Sequence, residues 1–262
     1  MNTLRLFLIS CRLGILNEFE YRVNFWVHLF EAVMSFFTGI VVLWTVFGKT
    51  RSIGGWTWQE ILVVLALWFI TKGVVNVMLA PSIRLFMTDI WQGNLDYLLT
   101  KPVNHRFMAT TRKFLIFFSV DIIVGAVLLA IAVPRLGHSP SFGESVMVAV
   151  AVLSGSVIVY SFWIVLGTMA MWTTKLENIM LVFFSVLEAG RWPAGLYPFW
   201  LRYSKTFLVP IAVAITFPAE ALLGRLDWQN ALFAASGALL AYVAARLFFE
   251  YAIRHKYTGA SA

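Results

Sequence analysis

Charge is scarce in this chain: 13% of its 262 residues are ionic, against about 25% in soluble domains. An ordinary globular enzyme is therefore excluded. There is a single cysteine, Cys11, and a lone thiol makes neither an intrachain disulfide nor a thiolate metal cluster. The four histidines, His28, His105, His138 and His255, lie far apart without metal-ligand spacing, and no H-E-x-x-H occurs. Gly48-Lys49-Thr50 copies the tail of the phosphate-cradling loop G-x-x-x-x-G-K-[ST]. The first glycine of that loop would fall on Leu43, and an apolar run precedes it. The chain thus reads as non-catalytic, holding no cofactor, nucleotide or metal of its own. No cleavable signal is expected either, because Arg12 interrupts the early apolar stretch and Glu18 and Glu20 follow.

What remains is apolar. The chain is 60% hydrophobic with a mean hydropathy of +0.81, which predicts an all-α, polytopic membrane protein in a single transmembrane domain. Six spans are read at residues 24–47, 59–80, 114–133, 145–171, 179–189 and 228–251. Residues 1–23 read as a modestly amphipathic surface helix. Trp56 and Trp58 follow Gly54-Gly55 where aromatic belts sit. Ser154, Gly155 and Gly167 lie on the fourth span as small residues that let helices approach closely. The net charge of +7 is scattered between apolar runs, so it argues for cytoplasmic loops rather than for nucleic acid.

One stretch, residues 81–113, is too charged for lipid, with Arg84, Asp89, Asp96, Lys101, Arg106, Arg112 and Lys113. Ser82 as N-cap, with Ile83, Phe86, Met87 and Ile90 at helical spacing, predicts a short amphipathic helix. Gly93-Asn94 predicts its stop. One more turn over residues 95–99 ends at Lys101-Pro102, because proline disfavours helix in the residue before it. The plainer reading is a connector in the headgroups; the other is a receiver for a soluble partner.

Residues 190–226 break the pattern, with Arg191, Pro193, Pro198, Pro210, Pro218 and Glu220 among apolar residues. Each proline removes a backbone donor, so a re-entrant pair is expected there. The alternative is a full seventh span over residues 206–223. With the N-terminus inside, twelve Lys and Arg fall on the inner side and seven on the outer, placing both termini in the cytoplasm. Within the apolar runs, Glu31, Lys72 and Asp121 each lie about 10–12 Å from the inner boundary at 1.5 Å per residue. Lys72 is expected to be neutralised by Glu31, Asp121 or both, as a structural pin. Glu188 and Arg191, three apart, form a second expected pair near the outer side.

The segment Ile90-Trp91-Gln92-Gly93-Asn94-Leu95-Asp96-Tyr97-Leu98-Leu99-Thr100-Lys101-Pro102 contains Gly93, Leu95, Asp96, Leu99 and Pro102 in a Gly-x-Leu-Asp-x-x-Leu-x-x-Pro-like core. With Glu188-Ala189-Gly190-Arg191-Trp192-Pro193, Tyr197-Pro198, Val209-Pro210 and Phe217-Pro218-Ala219-Glu220, the chain resembles the membrane subunits of ATP-binding-cassette type-2 transporters, six-span branch without a fused ATPase. The resemblance implies an exporter permease of the inner membrane, worked through a coupling helix that includes Arg84, Asp89, Gly93, Leu95, Asp96, Leu99, Lys101 and Pro102. It implies an outer gate at Glu188, Arg191, Pro193, Pro198, Pro210 and Pro218, and a pathway between the first and fifth spans of two permeases, identical or homologous. ATP and Mg would sit on a separate, dimeric ATPase subunit; membrane lipid is the other partner, and nucleic acid is not. The competing expectations are a secondary transporter, for which no internal repeat is visible, and a non-transporting assembly subunit.

Overall fold

Long apolar runs become long helices because lipid offers backbone groups no other partner. The computed structural model describes residues 3–20, 22–100, 104–137, 141–173, 176–193 and 211–255; among them the regular elements are all helical. In chain order they are α1 (Thr3–Glu20), α2 (Arg22–Phe47), α3 (Trp58–Trp91), α4 (Leu95–Leu99) and α5 (His105–Thr111). Then follow α6 (Ile116–Leu136), α7 (Phe142–Met171), α8 (Leu176–Ala189), α9 (Ile211–Leu222) and α10 (Trp228–His255). Among the described residues, α2, α3, α6, α7 and α10 are long and apolar enough to cross a membrane.

Two expected elements are shorter than a crossing needs. The fifth expected span is α8, with 14 residues, or about 21 Å against a hydrocarbon layer of roughly 30 Å. The described part of the alternative seventh span is α9, with 12 residues and Pro218 inside it.

The largest correction concerns Pro81. A break was expected there, with Ser82 capping a new helix. Instead α3 runs unbroken for 34 residues, about 51 Å, and so projects well beyond the apolar layer. A π turn over Val75–Leu79 precedes the proline. In an α-helix the N–H at position 81 would bond the Val77 carbonyl, and proline has none to give. That carbonyl accepts instead from the Leu115 N–H at 2.9 Å. One turn on, Ser82 is buried, its hydroxyl donating to the Lys113 carbonyl at 2.8 Å and accepting from the Lys113 N–H at 3.0 Å. A passing strand of chain thus repairs the helix that proline would end.

The projecting end of α3 is packed against protein rather than bare. Ile83, Phe86 and Met87 are buried. Ile83 packs against Gly167 of α7, and the Phe86 ring stacks on Phe249 of α10 with centroids 5.8 Å apart. Upstream, α3 and α6 meet backbone to backbone: a Cβ on Gly73 would stand 2.5 Å from Ile122, and one on Gly125 2.6 Å from the Ala66 oxygen. Gly155 lets α7 approach α9 in the same way, with a Cβ there 2.6 Å from the Ala214 Cα.

The bundle has two distinct ends. At one, Arg225 reaches Glu60 at 2.5 Å and the Gly55 carbonyl at 3.3 Å, and covers the Trp56 ring. Trp56 is therefore buried rather than set in an aromatic belt. At the other end, the foot of α3, Phe114 meets Phe7 of α1 at 5.4 Å, and Trp172 stacks on Phe248 at 5.2 Å.

Candidate functional site

Two groups of residues qualify as functional: a bracket at the foot of α3 and a run of charges half-way along it. The bracket begins where Gly93 turns the chain. Its φ is +71°, a left-handed value that glycine adopts without steric cost. The Asn94 N–H bonds the Asp89 carbonyl at 2.8 Å and the Gly93 N–H bonds that of Ile90 at 3.2 Å. This pair of bonds is a Schellman ending, placed where Gly93-Asn94 predicted it. The short α4 then buries Leu95 and Leu98 and turns Tyr97 outward, 72% exposed. Trp91, Gln92, Asn94 and Thr100 are exposed around it.

The return leg is pinned to the outgoing one. Arg112 donates through Nη1 to the Asp89 Oδ2 at 2.5 Å, a charge-assisted bond between half-buried groups. Asn104 caps α5 by accepting from the N–H groups of Arg106 and Phe107 at 3.1 and 3.4 Å. Of the residues expected in the bracket, Asp89 is used inside it, Leu95 is core, Leu99 is half-buried, and Arg84 faces outward. Asp96 is half-buried at the start of α4. Lys101 and Pro102 lie outside the described residues.

Half-way along α3, Lys72 stands 3.7 Å from Asp121 of α6, both largely buried. Glu31 lines the same cavity of about 90 Å³ as Lys72 and Asp121, but its own ion pair is with another residue. It is 65% exposed and pairs with His28 at 3.2 Å, whose ring is stacked on Phe117 and tilted against Phe118. Trp68, one turn from Lys72, links this pair to a second one. The Lys72 ammonium lies 5.1 Å from the Trp68 ring centroid and the Arg191 guanidinium 4.3 Å from it, while the indole N–H donates to the Leu187 carbonyl at 2.6 Å. Arg191 also donates to the Ser35 hydroxyl at 2.6 Å and pairs with Glu188 at 3.2 Å.

Glu188 and Arg191 pair as expected, across the end of α8 and the turn after it. That turn lies beside Trp68, ten residues from Trp58, or about 15 Å below the start of α3. Pro193 next to it is buried. Pro218 lines an apolar cavity of about 310 Å³ between α3, α7 and α9, with Thr71, Ser156 and Tyr160 as its polar groups. Pro198 and Pro210 lie outside the described residues.

Sequence reasoning missed Trp68 and Ser35. The available signal was Trp68 four residues before an intramembrane lysine, which is one helical turn. Ser35 carried none, since its partner is 156 residues away. Burial pushes the Cys11 thiol on α1 up from its ordinary range, which suits an inert side chain. Among the described residues no group of three His, Cys, Asp or Glu is disposed to hold a metal.

The profile of the family described as "ABC-2 family transporter protein" matches residues 32–261, which takes in both the bracket and the buried charges. No match was found among curated proteins or among solved structures.

Proposed function

From the premise that this chain belongs to the ABC-2 transporter family, we propose that it is the permease subunit of an ATP-driven exporter, worked by a separate ATPase. The bracket is its coupling element, and it faces the cytoplasm with both termini. Two permease copies, or a homologous pair, enclose the pathway along α2 and α8. The bare stripe of α2, with Trp26, Phe30, Phe37 and Trp44 all more than half exposed, is the face we assign to the second subunit.

The observation that carries this reading is the continuity of α3. One 34-residue helix joins the bracket to Lys72 and Trp68, and Trp68 touches the turn where α8 ends. A rigid helix transmits displacement along its length, whereas a hinge at Pro81 would absorb it. The strap from Lys113 and Leu115 removes that hinge. A push on α4 therefore reaches the turn at Arg191 as a rigid-body movement.

Short helices beside buried charges also suit a secondary transporter. Among the described residues the shortened spans are α8 and α9, both in the C-terminal third, and the family is one of ABC-type membrane proteins, so that reading is the weaker. The test is to co-express the subunit with its ATPase, then measure co-purification and ATP hydrolysis. Tyr97→Asp should abolish capture while the permease still inserts. Solute movement by the permease alone on an ion gradient would falsify the proposal. Deleting Ile83–Gln92 would remove buried core and report on folding instead.

A further inference from the structure

The second cluster of charges lies away from both the bracket tip and the midplane, where α5 crosses the end of α10. A cavity of about 320 Å³ there is lined by Asn104, His105, Arg106, Phe249, Glu250 and Arg254, among others. Two of these residues, Arg106 and Arg254, are cationic, and the His105 ring bonds the Leu99 carbonyl at 3.1 Å. The acid among them, Glu250, is already engaged: Arg246 donates to it at 3.0 Å and Arg106 stands 3.9 Å away. Arg106 is largely buried, yet its Nη1 has no hydrogen-bond partner among the described residues. An ionic donor left unpaired is costly, and Tyr242, 6.0 Å from the guanidinium, supplies only a ring face. Arg254 is exposed at the cavity mouth.

Depth identifies the occupant. Glu250 lies 22 residues along α10 from Trp228, or about 33 Å, just past a hydrocarbon layer of roughly 30 Å. The cavity is thus level with lipid headgroups, on the same side as the bracket. Phe249 forms its apolar floor and is itself stacked on Phe86 of α3. Basic pockets at that depth, between helices, suit the phosphate of an anionic phospholipid.

We propose that this cavity binds the phosphate headgroup of an anionic phospholipid, with Arg106 and Arg254 as its ligands. A lipid seated there braces α5 and α10 around the foot of α3, next to the bracket.

The test uses the full-length subunit in nanodiscs of phosphatidylcholine alone, or with one-fifth phosphatidylglycerol, and counts retained lipids by native mass spectrometry. The expected result is retention of phosphatidylglycerol over phosphatidylcholine. Arg254→Gln, an exposed change that spares the fold, should weaken that preference about fivefold, and adding Arg106→Gln about thirtyfold in all. Arg135→Gln, an equal loss of charge exposed at the opposite end of the bundle, should leave it within about twofold. Inorganic phosphate at millimolar concentration should not displace the lipid. Equal loss in the Arg135 variant, no headgroup preference in the unaltered subunit, or displacement by inorganic phosphate would each overturn the assignment.

Discussion

α2 and α3 are similarly apolar, yet 17% of the most apolar stretch of one is buried and 61% of the other. The difference lies in what each helix carries and touches. α3 holds Lys72 among neighbours that answer it: Asp121 on α6, and Trp68 with Arg191 beyond. α2 holds Glu31, which leans on His28 of its own helix and stays exposed. Hydropathy reports that a helix prefers lipid to water; it is silent on whether lipid or protein surrounds it. The contrast makes α3 the structural axis of the subunit and α2 a face awaiting either lipid or a second copy.

Four substitutions sharpen the contrast. Asp121→Ala strands the Lys72 ammonium beside Trp68, and removing one member of a buried pair costs about 3–5 kcal/mol. The thermal midpoint in detergent should fall accordingly, and Lys72→Met with Asp121→Leu should recover most of it. If the double variant is no better than the single, the pair is not coupled. Gly125→Leu drives a side chain into the Ala66 carbonyl and should cost about 1–3 kcal/mol or more. Gly143→Ala, where nothing lies within 4 Å, is the neutral control.

Ser82→Ala removes both bonds to Lys113 and should cost about 1–2 kcal/mol. Its signature is faster amide exchange at Leu115, since the strap loosens as a unit. An unchanged rate there would mean that the strap does not hold the helix together. The smallest effect belongs to α2: Phe30→Ala, on its exposed stripe, should shift subunit stability by no more than about 0.5 kcal/mol. A large shift in the isolated subunit would erase the distinction between the two helices.

Some of this was legible beforehand, and for identifiable reasons. Gly93-Asn94 ended its helix as expected because a Schellman turn is made from residues within six positions of one another. The pairing of Lys72 with Asp121 was among the options because depth can be counted at a fixed rise per residue. Pro81 misled because its repair comes from Leu115 and Lys113, more than thirty positions on. The contacts of Arg191 with Trp68 and Ser35 were not legible, because both partners lie more than a hundred positions away. Ser82 was read as a cap because its side chain suits one; burial against Lys113 put it to another use.

The membrane class, the helix material, the polar bracket and the presence of charges needing partners are all properties of local composition. They follow from transfer free energies and backbone preferences that neighbours in sequence settle among themselves. Which helix is interior, which proline is bridged, and which acid answers Lys72 were decided only when distant segments packed together. Hydrogen bonds and ion pairs act over a few ångströms, and the linear order of the residues does not fix which groups come that close.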